Sequence, residues 1–188
     1  MEPHDTYWST FRHWGPAPRA RFDHMPPPPD NHPDLGIIYA GGDAATSLLE
    51  AFQATRVVNR RRDSPWVATF ALARSVRLLD IGGSWPTRAG ASQALGVGDA
   101  PAVTQAWARA IYSDYPDVAG IVYPSSMRGR RKQSRTRAGA DLIGRNIALF
   151  ERAETALPSH PRMNMPLDHP GLADPLAVVA DEYGYDIV

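Results

Sequence analysis

The chain has 188 residues, 43% of them hydrophobic and 21% charged, and its twenty basic residues balance twenty acidic ones for a formal net charge of zero. These values exclude a disordered or fibrous chain, and a neutral chain has no global field to draw in a polyanion or an anionic membrane. The absence of cysteine excludes disulfides, thiolate metal sites and cysteine nucleophiles.

The N-terminal stretch MEPHDTYWSTFRHWG lacks the apolar core of a signal peptide, and no apolar run approaches the ~20 residues that span a bilayer. A soluble, cytoplasmic protein is the expectation. Residues 1–11 read as an N-terminal extension and 12–188 as one domain. The first 34 residues are dense in proline and histidine, show no helical period, and read as a surface arm or loop. Within it, 26–34 forms a proline-rich loop whose run Pro26 to Pro29 must be extended.

Leu35 to Ala40 reads as a strand and Gly41-Gly42 as a turn. Asp43 stands at a helix N-cap, with Ala44 to Thr55 as the helix. Its apolar stripe is Ala45, Leu48, Leu49 and Phe52, and Glu50 lies about 150° from the centre of that stripe. By periodicity alone Glu50 is a solvated helix glutamate. Trp66 to Ala73 and Val76 to Ile81 read as strands separated by a tight turn, and Arg88 to Leu95 as a short helix. Pro101 to Ser113 is a stronger helix, with Val103, Trp107, Ala110 and Ile111 on one face. Ala119 to Tyr123 and Ile147 to Phe150 are short buried strands. Between them lies a basic loop, 128–145, with six bases in the ten residues 128–137. Leu172 to Glu182 is the last helix, Gly184 its stop, and Tyr185 to Val188 a terminal strand. Strands and helices interleave without a βαβ rhythm, so an α+β fold with mixed or antiparallel sheets flanked by helices is expected.

Most familiar chemistry is missing. No GxxxxGK[ST] or GxGxxG phosphate cradle is present, and the six histidines have no metal-binding spacing. Glu50 is the only glutamate between Glu2 and Glu151. What stands out is an ordered constellation: Arg19-Ala20-Arg21-Phe22-Asp23-His24, then the strand-turn-helix from Leu35 to Glu50, then Gly120-Ile121-Val122-Tyr123-Pro124-Ser125-Ser126 far downstream. Val76-Arg77-Leu78-Leu79-Asp80, Ala148-Leu149-Phe150-Glu151 and the closing helix with Gly184-Tyr185 complete it.

This order resembles the RES family, named for its arginine, glutamate and serine, over about residues 12 to 188. The resemblance implies a fold like that of ADP-ribosyltransferases and a bacterial toxin that consumes NAD+. Phosphorolysis is the favoured reaction, with hydrolysis or transfer to a protein as alternatives. NAD+ is then the substrate and inorganic phosphate the co-substrate, with no tightly bound cofactor and no metal. The implied partner is an antitoxin with a helix-turn-helix or related helical domain, in an oligomeric complex, without nucleic-acid or membrane binding.

The residue types suit that chemistry. Cleaving the nicotinamide–ribose bond leaves an oxocarbenium-like sugar, which a carboxylate can stabilise, and Glu50 is the candidate. A pyrophosphate calls for forked, permanently charged donors, with Arg21 first, Arg19 beside it and Arg128 following the serines. Tyr39 offers a flat surface for nicotinamide or ribose. Ser125 or Ser126 offers a hydroxyl donor, and Tyr-x-Ser spacing favours Ser125. Two other classes stay open: an interaction module with little catalysis, and a nucleic-acid binder through 128–137.

Overall fold

The computed structural model describes residues 7–98, 100–127 and 142–188. Among these residues, the named strands and α-helices are, in chain order, β1 (Trp14–Gly15), β2 (Asp30–Asn31), β3 (Ile37–Gly41), α1 (Ala44–Phe52), β4 (Val57–Val58), β5 (Trp66–Thr69), β6 (Leu79–Asp80), α2 (Trp85–Arg88), α3 (Pro101–Asp114), β7 (Gly120–Pro124), β8 (Arg145–Phe150), β9 (Met163–Pro166), α4 (Ala173–Tyr183) and β10 (Asp186–Ile187). The architecture is α+β, as expected. Its centre is a four-stranded sheet in the order β3-β8-β7-β6. β8 runs antiparallel to both β3 and β7, and β6 runs parallel to β7. No helix among the described residues is long and apolar enough to cross a membrane.

Strands β7 and β8 are apolar along most of their length, because the sheet is covered on both faces. One face packs Ile121, Tyr123, Ala148 and Phe150 against Ala108 and Ile111 of α3 and against Phe22 and Met25. The other carries Ala119 and Leu149, with Phe11 and Ala153 over them. A third cluster joins Leu48 and Leu49 of α1 to Val58, Leu167, Leu172, Leu176 and Tyr185. Residue Gly184 takes the left-handed conformation (φ 66°) that ends α4. The chain then turns so that β10 pairs with β4 in parallel.

The surface-arm reading of the N-terminal segment is corrected for Phe22 to Met25. Phe22, Met25 and Asp23 are completely buried and His24 nearly so, while Pro26 to Pro29 remain exposed. A two-residue pairing of β1 with β2 closes the loop that carries these side chains inward. Phe22 rests against Tyr123 at 4.6 Å between ring centres, and His24 stacks on Tyr112 at 4.4 Å.

Four further expectations change. The strands on either side of residue 75 do not form a hairpin. β5 pairs instead with β9, which has no period of its own, and only Leu79–Asp80 reaches the central sheet. No helix spans 88–95, because Gly90 is left-handed (φ 80°) and ends the helical turn, and Ser92 then caps a 3₁₀ turn over Gln93–Gly96. Helix α3 is rotated from the expected face. Val103 is exposed, while Thr104, Gln105, Ala108 and Ile111 are buried. Gln105 is tolerated inside because its Nε2 donates to Ala17 O at 2.9 Å and Ala20 O at 2.8 Å. The basic loop was expected to run to 145, but β8 already begins at Arg145, and 128–141 lie outside the described residues.

Candidate active site

Where β3 turns into α1, two glycines allow a very close approach. A Cβ on Gly41 would lie 2.7 Å from the Ser47 amide nitrogen, and one on Gly42 would lie 1.9 Å from Leu142 O. Only glycine fits either place. Asp43 then caps α1, accepting from Thr46 N at 2.9 Å through Oδ1, while its Oδ2 accepts from Gly144 N at 2.8 Å. The start of the helix is thereby tied both to β3 and to the approach of β8.

With α1 fixed in this way, its leucines face the third cluster and Glu50 faces the opposite direction, over the end of the sheet. It is half-buried rather than solvated, which corrects the reading from periodicity. Ser125, directly after β7, is buried and donates from Oγ to Glu50 Oε1 at 2.6 Å. Ser125 Oγ also accepts from Met127 N at 3.2 Å, so its own position is set. Ser126 is exposed and does not border the cleft described next. Of the two candidate serines, the structure brings only Ser125 to Glu50.

Glu50 borders a cleft of about 570 Å³ between α1, the ends of β3, β7 and β8, and the segment from Arg12 to Arg21. Arg21 stands on this border with Nη2 donating to Leu95 O at 2.9 Å and Nη1 to Gly96 O at 3.2 Å. Its charge lies 5.4 Å from the centre of the Phe22 ring and 5.7 Å from that of Tyr123. Among the described residues neither Arg21 nor Arg19 has a carboxylate partner. Two of Arg21's five N–H donors are used on carbonyls, which orients the guanidinium and leaves the rest available. Arg19 is exposed at the rim. Arg128 lies outside the described residues.

Tyr39 presents its ring to the cleft and turns its hydroxyl away. The residue is 38% exposed, yet the hydroxyl accepts from Phe22 N at 3.0 Å and donates to Asp23 Oδ1 at 2.9 Å. Asp23 is wholly enclosed and is satisfied by Tyr39, by Arg12 Nη2 at 2.7 Å and by Ala17 N at 2.6 Å. Burial, and after it the Asp23 carboxylate, push the Tyr39 phenol well above its usual range. Burial and the Glu50 carboxylate push Tyr123 up as well, against a smaller opposite pull from Arg21. Both phenols therefore stay protonated at neutral pH, so neither supplies a phenolate base.

Sequence reasoning missed Arg12, Asp23, Tyr123 and Asn146. Asp23 and Tyr123 stand inside the motifs that carried Arg21 and the serines, and only their adjacency could have marked them. Arg12 is brought in by a bridge to Ile37, a long-range pairing without a local signal. A second cavity, of about 810 Å³, lies beyond the β3 edge and is lined mainly by apolar side chains such as Ile38, Leu72, Leu78 and Leu149. It is larger, but of the candidate residues only Tyr39 borders it. The cleft with Glu50, Arg19 and Arg21 is where charge and hydrogen-bonding groups converge. Among the described residues no group of three or more His, Asp or Glu side chains is placed to hold a metal ion.

Comparison with known proteins gives one family: the RES domain matches residues 2–169. The match begins before the expected extension ends and stops short of α4. No curated protein matches the chain, and no solved structure matches it.

Proposed function

On the premise that the chain belongs to the RES-domain family, we propose that it cleaves the bond between nicotinamide and ribose in NAD+ and transfers the ADP-ribosyl group to inorganic phosphate. Family membership is consistent with an NAD+-acting domain of a toxin–antitoxin pair, and RES-domain proteins generally pair with antitoxins. The observation that carries the reading is the Glu50 carboxylate, held at 2.6 Å by the buried Ser125 hydroxyl in a cleft it shares with Arg19 and Arg21.

The chemistry follows from charge. The ribose C1–N bond breaks with its electron pair going to the ring nitrogen, so the cationic pyridinium leaves as neutral nicotinamide. Positive charge then develops on the sugar, and an anionic group in a partly enclosed site stabilises it more than it stabilises the ground state. Glu50 supplies that anion, and Ser125 fixes its direction without acting as a nucleophile. Arg21, already oriented by two carbonyls, and Arg19 at the rim offer donors to the pyrophosphate. The ring of Tyr39 offers a stacking surface. A phosphate oxygen attacks C1, forming the new C–O bond and giving ADP-ribose-1″-phosphate and nicotinamide.

Phosphorus-31 spectra of NAD+ incubated with the protein test the acceptor. A sugar 1-phosphate resonance that requires added phosphate is the expected result. Free ADP-ribose formed equally well without phosphate would replace phosphorolysis by hydrolysis, and ADP-ribose attached to protein would replace it by protein modification.

A further inference from the structure

Among the described residues, Asn146 is a buried amide of the cleft to which the fold supplies no side-chain partner. It sits on β8 directly opposite Gly41 of β3 and Tyr123 of β7. Directly paired residues point to the same face of a sheet, so Asn146 shares the face of Tyr123 and is diagonal to Tyr39. It is only 7% exposed, and it borders the cleft. Among the described residues its amide has no hydrogen-bond partner. Its neighbour Gly41 has no side chain to cover it. Buried side-chain amides are nearly always bonded, because leaving one without a partner is costly. An amide left open towards a cleft is one whose partner comes with the ligand.

Resting on the reaction proposed above, we infer that Asn146 recognises the carboxamide of nicotinamide. A primary amide offers one acceptor oxygen and two N–H donors. A second primary amide is its complement, with Asn146 Nδ2 donating to the carboxamide oxygen and Asn146 Oδ1 accepting from the carboxamide nitrogen. Adjacent groups suit the rest of that leaving group: the Tyr39 ring offers a face for the pyridinium, and Glu50 carries the negative charge for the sugar beside it. Asn146 is therefore a specificity residue that separates the carboxamide from a carboxylate. Against a carboxylate, Oδ1 would meet negative charge instead of a donor.

The test compares kcat/KM for NAD+ with that for its nicotinic-acid analogue, in wild type, Asn146→Ala and Asn146→Asp. Wild type is expected to prefer NAD+. In Asn146→Ala, NAD+ cleavage should fall about 10- to 100-fold with a much smaller change for the analogue, so that the preference collapses. In Asn146→Asp the preference should widen, since one bond to the carboxamide survives while the analogue is repelled. Because the Asn146 side chain has no hydrogen-bond partner among the described residues, the melting temperature of Asn146→Ala should stay within a few degrees of wild type. Equal slowing of both dinucleotides, or a large loss of stability, would overturn the assignment while leaving the reaction intact. A wild-type protein that releases nothing from either dinucleotide would overturn the reaction and the assignment together.

Discussion

A 2.6 Å hydrogen bond from Ser125 to Glu50 joins a strand end to a helix face, and substitutions there should have graded effects. Glu50→Gln keeps the shape and removes the charge, so nicotinamide release should fall about 10²–10³-fold, mainly in kcat. Ser125→Ala removes only the group that orients the carboxylate, and a loss of roughly 10-fold is expected. Ser126→Ala, exposed and away from the cleft, should match wild type, and steady-state kinetics on the three variants orders them. Tyr39 separates differently, because its hydroxyl is engaged with Asp23 and the Phe22 amide and not with the cleft. Tyr39→Phe should lower the unfolding free energy by about 1–3 kcal/mol, read from urea denaturation, while KM for NAD+ stays near wild type because the ring remains. A rise in KM without loss of stability would instead put the hydroxyl on the substrate. These residues were unequally legible in the sequence. Helical period places Glu50 correctly on the side away from the leucines, but period separates a core face from the rest and cannot separate solvent from a cleft. Asp23 carries no local sign of burial. Its environment is assembled from Arg12, Ala17 and Tyr39, which only the tertiary fold brings to it.

At the scale of elements, the N-terminal segment is the part whose role changed most. It serves as a wall of the cleft and as a layer of the core. Phe22→Ala is therefore expected to cost about 3–5 kcal/mol in unfolding free energy, where a surface arm would lose less than about 0.5. The same segment is fastened by a polar network in which Glu151, just beyond β8, accepts from His24 Nε2 at 3.2 Å, from Gly36 N at 3.1 Å and from the Tyr112 hydroxyl. Burial alone would raise the Glu151 pKa, but these donors outweigh it and lower it from 4.5 to about 2. A carboxyl whose pKa is lower when folded than when unfolded adds stability above the unfolded pKa. That stability disappears as the pH falls through the folded value. About 3 kcal/mol should thus be lost between roughly pH 4.5 and 2, and Glu151→Gln should flatten that part of a stability–pH curve. The elements legible in the sequence were those with local signals: α1 with its Asp43 cap, α3 with its proline start, β3, β7, β8, and α4 with its glycine stop. Those that were not legible, β1, β2, β4 and β9, are strands of two to four residues, too short for alternation to register and defined only by distant partners. The face of α3 was misjudged for a related reason. Gln105 is polar by composition and buried by contact, because the carbonyls of Ala17 and Ala20 arrive from far away in the chain.

Across the whole molecule, balanced charge does not conflict with a substrate that carries two phosphates. A dinucleotide needs a few oriented guanidinium groups, and the cleft has Arg21 fixed at its border and Arg19 at its rim; in the proposed reaction Glu50 is the counter-charge for the sugar. The chain has no cysteine, and among the described residues the cleft offers carboxylate, guanidinium, phenol, hydroxyl and amide groups. The order of arginine, tyrosine, glutamate and serine along the chain was the readable part of the site. Their convergence depends on the N-terminal segment folding over the sheet, which no stretch of sequence states by itself. The most direct test is nicotinamide release from NAD+ by the purified full chain in phosphate buffer, set against an Arg21→Ala, Glu50→Ala double variant with the same melting temperature. Release by wild type that falls to background in the double variant is the predicted result. Wild-type release no greater than that of the double variant would contradict the assignment of this cleft as a site of NAD+ cleavage.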